Sequence, residues 1–202
     1  MKVTETLYAT DRKMWRAWLR KHYKSAKDIW LIYYRKATGK PRIACSDAVE
    51  EALCFGWIDS TVRKLDDERF AQRFSPRKPG RPYSQTNKER LRRLIAGGKV
   101  RKDILASLGE LSEDAYTIPP DILKALKASG GAWRNFRRFP PAYQRIRIQY
   151  IHHARKRPAE FKKRLRNFLA KTERNEQFGS GINTFYEQRK KISLSKDPTR
   201  TN

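Results

Sequence analysis

The spacing of apolar residues predicts a small sheet-and-helix region followed by helices alone. Residues 3–9 alternate weakly, as an edge strand does. Asp11 then caps a helix to about Lys21, with Met14, Trp15, Trp18 and Leu19 on one face. Residues 28–36 (DIWLIYYRK) are nearly continuous in β-branched and aromatic types, the pattern of a central strand covered on both faces. Ser46 is placed to cap the next helix, with Asp47, Glu50 and Glu51 at its positive end. Ala48, Val49, Ala52 and Leu53 face inward, and Gly56 stands at the stop. Residues 57–65 and 69–75 read as a hairpin turning at Asp66-Asp67.

The eight residues PRKPGRPY (76–83) cannot be regular structure and form a basic, exposed finger. Ser84 caps a helix to about Ala96, ended by Gly97-Gly98. After a polar, locally acidic stretch the chain turns helical at about 120–129, 131–139, 141–156 and 159–171. Pro120, Pro141 and Pro158 stand at first-turn positions. The fold class expected is α+β: a small antiparallel sheet with packed helices, followed by an all-helical C-terminal subdomain. The expected divisions are an N-terminal domain (1–108), a linker (109–118), a helical subdomain (119–172) and a flexible basic tail (173–202).

Charge changes this picture most. The chain of 202 residues carries a net +26, shared evenly between residues 1–110 and 111–202, so no basic tail accounts for it. Such a field favours polyanions, yet 23 aromatic residues argue for a packed core rather than disorder. Cys45 and Cys54 are too few for a disulfide scaffold and point to a reducing compartment. No apolar run is long enough for a membrane span and the N-terminus has no signal-like core, so the expected location is cytoplasmic.

Two polar residues sit on faces the pattern assigns to the core. Asn87 falls within the arc of Leu91, Leu94 and Ile95. Arg147 projects into the arc of Tyr143, Ile146, Tyr150, Ile151 and Ala154. Each needs partners there, through a structural ion pair or through a bound anion. Asp59 follows two large apolar residues on its strand. Arg69 and Arg73 share a strand face roughly 13 Å apart along the backbone. They pair with acids or meet a long polyanion.

Other chemistry lacks its signature. His152 and His153 diverge by about 100° on a helix and cannot grip one ion. No metal site or cofactor is expected. Gly97-Gly98-Lys99 is not a phosphate loop, and no nucleophile elbow occurs. Trp133, Phe136, Phe139 and Tyr143 interleave with arginines, the composition of a single-strand binder, but their helical spacing is that of a core.

The motif EEALCFGWID (50–59), the run LDDERFAQRFSPRKP (65–79) and the pattern Ser84-x-x-Asn87-Lys88-x-Arg90 resemble the YdeI/OmpD-associated, or bacteriocin-protection, family. Further along, Arg147-Ile148-Gln149-Tyr150-Ile151 and the basic run 154–158 resemble it too, so the likeness covers about residues 5–172. Tyr83 stands where that family commonly has Trp, and the sequence after Pro158 departs from its pattern. The resemblance implies a link to stress or bacteriocin tolerance and carries no established catalytic residue. It marks Asn87 and Arg147 as motif positions. It thereby suggests one polar site between the two parts, with Asp59, Arg69 and Arg73 as neighbours. The implied partner is an anionic small molecule or acidic protein. Weak nonspecific nucleic-acid binding is one alternative; an enzyme acting on an anionic substrate through Asp59, Asn87 and Arg147 is another.

Overall fold

The computed structural model describes residues 3–108, 111 and 116–179. The chain divides into two compact units, 1–112 and 113–202. Most of the expected linker and residues 180–202 of the expected tail lie outside the described residues.

The first unit is a four-stranded sheet in the order β1-β2-β4-β3 with helices packed on it. Strand β1 (Thr6–Tyr8) is the expected edge and leads to helix α1 (Arg12–His22). The Asp11 carboxylate accepts the Met14 N–H at 2.8 Å, the cap its position predicts. Trp15 and Leu19 are fully buried, whereas Met14 is about half exposed: the apolar stripe is narrower than its four residues imply. Strand β2 (Ile29–Tyr34) lies between β1 and β4, so its near-continuous apolar run is buried.

The sheet is mixed rather than antiparallel, because β1 runs parallel to β2. A three-residue strand carries no pattern that states its pairing direction; the intervening helix α1 supplies the crossover a parallel pair needs. The remaining pairings are antiparallel. Strand β3 (Trp57–Lys64) and β4 (Arg69–Pro76) form the expected hairpin, and β4 continues the ladder onto β2. At the turn, the Asp66 carboxylate accepts both the Glu68 and Arg69 N–H groups. A bulge interrupts β3 between Asp59 and Val62.

Helix α2 (Cys45–Cys54) starts one residue before the predicted cap. Ala44 occupies the cap position, with no side-chain oxygen to accept a helix N–H. Its end is as read from sequence: Gly56 has φ +71°, a conformation that L side chains adopt at a cost. Helix α3 (Gln85–Ala96) begins at Ser84, whose hydroxyl accepts the Asn87 N–H at 3.3 Å. A four-residue helix, α4 (Lys102–Leu105), follows and was not legible in the pattern.

The core of this unit is aromatic. Trp15, Trp57, Tyr33 and Phe74 are all but fully buried, each worth about 1.5–3 kcal/mol of burial. Trp15 stacks on Trp18 at 5.4 Å and Trp18 meets Trp57 edge-on at 5.6 Å. Their indole N–H groups are not wasted: Trp15 donates to the Ala48 carbonyl and Trp57 to the Tyr23 carbonyl, both at 3.0 Å.

The second unit contains helices α5 (Pro120–Ala128), α6 (Gly130–Arg138), α7 (Pro141–His152) and α8 (Pro158–Glu173). Pro120, Pro141 and Pro158 occupy first-turn positions, where a missing N–H costs nothing. Phe136, Phe139, Tyr143 and Phe168 are buried together with Ile122, Leu126 and Ile151. The aromatics at helical spacing are therefore core, not a stacking platform. Helix α7 stops at His152, shorter than its apolar pattern. Tyr150 is 41% exposed, while Arg145 and Ile148 are buried. After α8 the chain does not loosen at once. Phe178 packs on this core and its N–H donates to the Tyr143 hydroxyl at 3.3 Å. No helix among the described residues is long and apolar enough to cross a membrane.

Candidate functional site

Two of the sequence-predicted residues of the first unit, Asp59 and Asn87, share Arg90 as a neighbour. Asp59 lies on the helix-covered face of β3, where the Gln72 amide donates to its carboxylate at 2.9 Å. Burial raises the Asp59 carboxyl from its ordinary value, and the nearby Arg90 guanidinium pulls the other way. Arg90 also donates to the Asn87 side-chain carbonyl at 2.8 Å. Arg90 thus links Asp59 on the sheet to the buried amide of Asn87 on α3.

Arg69 and Arg73 are engaged elsewhere. Arg69 is held by Asp66 at the hairpin tip, at 2.6 Å. The same contact, a side-chain hydrogen bond from Arg69, lowers the Asp66 carboxyl. Arg73 pairs with Asp28 at 2.7 Å. These are the acidic partners that sequence offered as one of two readings. Arg147 belongs to the second unit. It is buried on α7, with its guanidinium 5.2 Å from the Tyr150 ring and 5.3 Å from the Phe178 ring. A side chain at Gly179 would collide with that guanidinium.

A charged cluster between α1, α2 and α3 escaped the sequence reading. Glu50 and Glu51 are buried. Arg12 donates to Glu51 at 2.8 Å and to Glu50 at 3.0 Å, Arg16 donates to Glu51 at 2.6 Å, and Arg93 pairs with Glu50. Each carboxylate thus faces two guanidiniums, and the cluster serves as packing.

A cleft of about 730 Å³ opens beneath the 76–83 finger of the first unit. Its floor is apolar, built from Phe55, Trp57, Ile104 and Leu111. Its wall is cationic: Lys24, Arg77, Lys78, Arg81 and Lys88, against Asp103 as the acid among the lining residues. The finger is held in place rather than loose. The Arg77 N–H donates to the Gly56 carbonyl at 2.9 Å. The Arg77 guanidinium lies 3.8 Å above the Tyr83 ring. Gly80 supplies the left-handed turn at φ +75°. Asp103, at the start of α4, is already committed. It accepts from the Tyr23 hydroxyl at 2.7 Å and from Arg101 at 2.9 Å, and both bonds keep its carboxyl below its ordinary value. By contrast Lys78, Arg81 and Lys88 make no ion pair among the described residues.

This arrangement suits a ligand with an anionic group and an apolar or planar body. The volume falls within the range of small-molecule sites. Unpaired cations around a partly enclosed apolar floor concentrate negative charge at the mouth. Sequence signalled the finger's charge but not the floor beneath it. Phe55 had no assigned role, Trp57 stood only at the start of a strand, and α4 was unseen.

Two family models match the chain. One, described as Domain of unknown function (DUF8412), matches residues 7–107, half of the sequence. The other, described as Bacteriocin-protection, YdeI or OmpD-Associated, matches residues 115–175. The resemblance read from sequence to the latter family is thus supported over the C-terminal helices. The motif at 50–59 falls instead within the former match. No curated protein and no solved structure matches significantly.

Proposed function

Since the chain belongs to the family described as Domain of unknown function (DUF8412), we propose its function from the site itself: an anion-binding protein, not a catalyst. The ligand is a small molecule carrying a phosphate, sulfate or carboxylate on an apolar or planar body. The cleft beneath residues 76–83 receives it. One observation carries the reading: Lys78, Arg81 and Lys88 line an apolar-floored cavity and make no ion pair among the described residues. The bacteriocin-protection match over residues 115–175 supports a role in tolerance to antibacterial agents. The cytoplasm, where reduced Cys45 and Cys54 are stable, is the proposed location.

Pyranine, a sulfonated planar dye, is a direct probe of the cleft. Titrated against the full chain, it should bind the wild type. The Lys78→Ala/Arg81→Ala variant should bind about five- to tenfold more weakly, the loss expected for two solvent-screened charge contacts. Equal affinity in wild type and variant would refute the assignment. A second reading, nonspecific nucleic-acid binding, draws on the net charge of +26. It requires single-stranded oligonucleotide to bind with an affinity that falls steeply with salt.

A further inference from the structure

The second unit carries a charge imbalance of its own. Its described residues 116–179 hold sixteen lysines and arginines against four acids. Those acids are already answered. Asp121 pairs with Arg155 at 2.5 Å, Glu160 with Arg164 at 2.7 Å and Glu176 with Lys171 at 3.1 Å, while Glu173 accepts the Ser129 hydroxyl at 2.9 Å.

Helix α8 concentrates the excess. Glu160 stands in its first turn and Glu173 is its last residue; from 161 to 172 it carries five cations and no acid. Three of the five, Lys162, Lys163 and Arg166, are exposed and make no ion pair among the described residues. At about 100° per residue they fall within a single arc of about 100°, with Lys162 and Arg166 about 6 Å apart along the axis. Ala159 and Ala170 share that arc and are exposed, so nothing bulky keeps a partner from the cations. Glu173 ends the arc, engaged by Ser129. Lys156 and Arg157 are exposed in the turn that leads into α8 and add to the same charge.

The geometry points to this stripe of α8 as a docking surface for the phosphate backbone of a nucleic-acid duplex. Lys162, Lys163 and Arg166 neutralise phosphates, contacts that carry no sequence information. Two features favour a duplex. Proteins hold single strands by stacking bases on exposed aromatics, but the aromatics of this unit pack into its core. Tyr150, the exception, has the Arg164 guanidinium over its ring at 3.9 Å. A helix that lies in a membrane surface buries an apolar face beside its cations, and the exposed arc of α8 holds no large apolar side chain. This surface presupposes nucleic-acid binding, the second reading of the function, and places it on one helix of the second unit.

Fluorescence anisotropy of a labelled DNA duplex, titrated with the full chain across about 50 to 200 mM salt, tests it. Each phosphate contact steepens the fall of log affinity with log salt by about 0.9. Lys162→Gln/Lys163→Gln/Arg166→Gln should therefore flatten the slope by about 2.7, so that the wild type loses about 40-fold more affinity than the variant over that range. The positions are exposed and Gln suits a helix. Lys162→Arg/Lys163→Arg/Arg166→Lys keeps the charges and should keep the wild-type slope. If the Gln variant retains that slope, α8 is not the surface, although the second reading stands. If the charge-keeping variant loses it too, the effect is not one of charge and the inference fails. A wild type that binds no duplex at about 50 mM salt sinks both the surface and the second reading. Phosphatidylserine vesicles that bind through these residues where the duplex does not would make the partner a membrane and overturn the proposal.

Discussion

Replacing Glu51 by Gln should destabilise the first unit by about 2–3 kcal/mol. The carboxylate is almost fully buried, with a side-chain exposure of 5%, and holds Arg12 at 2.8 Å and Arg16 at 2.6 Å. Gln keeps the shape but donates where both neighbours also donate. Removing one member of a fully buried pair costs about 3–5 kcal/mol, because a charge is stranded. The two guanidiniums here are about a third exposed, so water screens part of that loss. Two charge-assisted hydrogen bonds at about 1.5–3 kcal/mol each set the ceiling, and solvent relief brings the figure down. The assay is urea unfolding followed by tryptophan fluorescence. Four of the five tryptophans (Trp15, Trp18, Trp30 and Trp57) lie in the first unit, and a Trp133→Phe background removes the fifth. The midpoint should fall with the slope unchanged. Glu68→Gln is the control. Its pair with Lys40 is more than half exposed on each side, so its loss should stay within about 0.5 kcal/mol. If Glu51→Gln is as mild as Glu68→Gln, the buried cluster is not holding α1, α2 and α3 together.

Other expectations follow from the same geometry. Gly56→Ala should cost about 1–2 kcal/mol, since φ +71° strains any L side chain and the new methyl would lie 3.0 Å from Ile104 Cδ1. It should also weaken pyranine binding, because the Gly56 carbonyl anchors Arg77. Asp59→Asn tests the raised carboxyl. In the wild type the folded state keeps this proton at pH values where the unfolded chain has released it. The stability it contributes is therefore present below the unfolded pKa and lost as pH rises through the folded one. The Asn variant has no such loss, so it should be the more stable at about pH 7, with the gap closing toward about pH 4. A constant difference across that range would contradict the burial argument. In the second unit, Phe136→Ala should cost about 3–5 kcal/mol in chemical unfolding, as for other buried aromatics.

The elements most legible in the sequence were those fixed by local chemistry. Asp11 and Ser84 cap their helices because a short polar side chain can reach back to the helix N–H groups. Pro120, Pro141 and Pro158 open theirs because a first-turn N–H has no partner to lose. Ser46 looked equally suited, yet the helix starts at Cys45; a cap residue states that a start is near, not which residue begins it. The parallel pairing of β1 was hidden, since direction depends on where the sheet receives the strand. Glu50 and Glu51 were placed only as charges at the positive helix start, because their neutralising arginines lie 35 to 43 residues away in sequence. Of the candidate site residues, Asp59 feels the charge of Arg90, and Asn87 accepts a hydrogen bond from it. Arg69 and Arg73 each took a nearby acid, which strand alternation could not decide. The cleft was half visible: the finger announced its charge, but its floor required the return of α4 beneath Phe55 and Trp57.

The most direct test of the anion-binding account is a thermal-shift screen of an anionic-metabolite library against the full chain and its Lys78→Ala/Arg81→Ala variant. At least one anionic compound should stabilise the wild type, by about 2.7 kcal/mol at a hundred times its Kd, with the stabilisation largely lost in the variant. A library that stabilises neither protein, or a ligand that stabilises both equally, would contradict it.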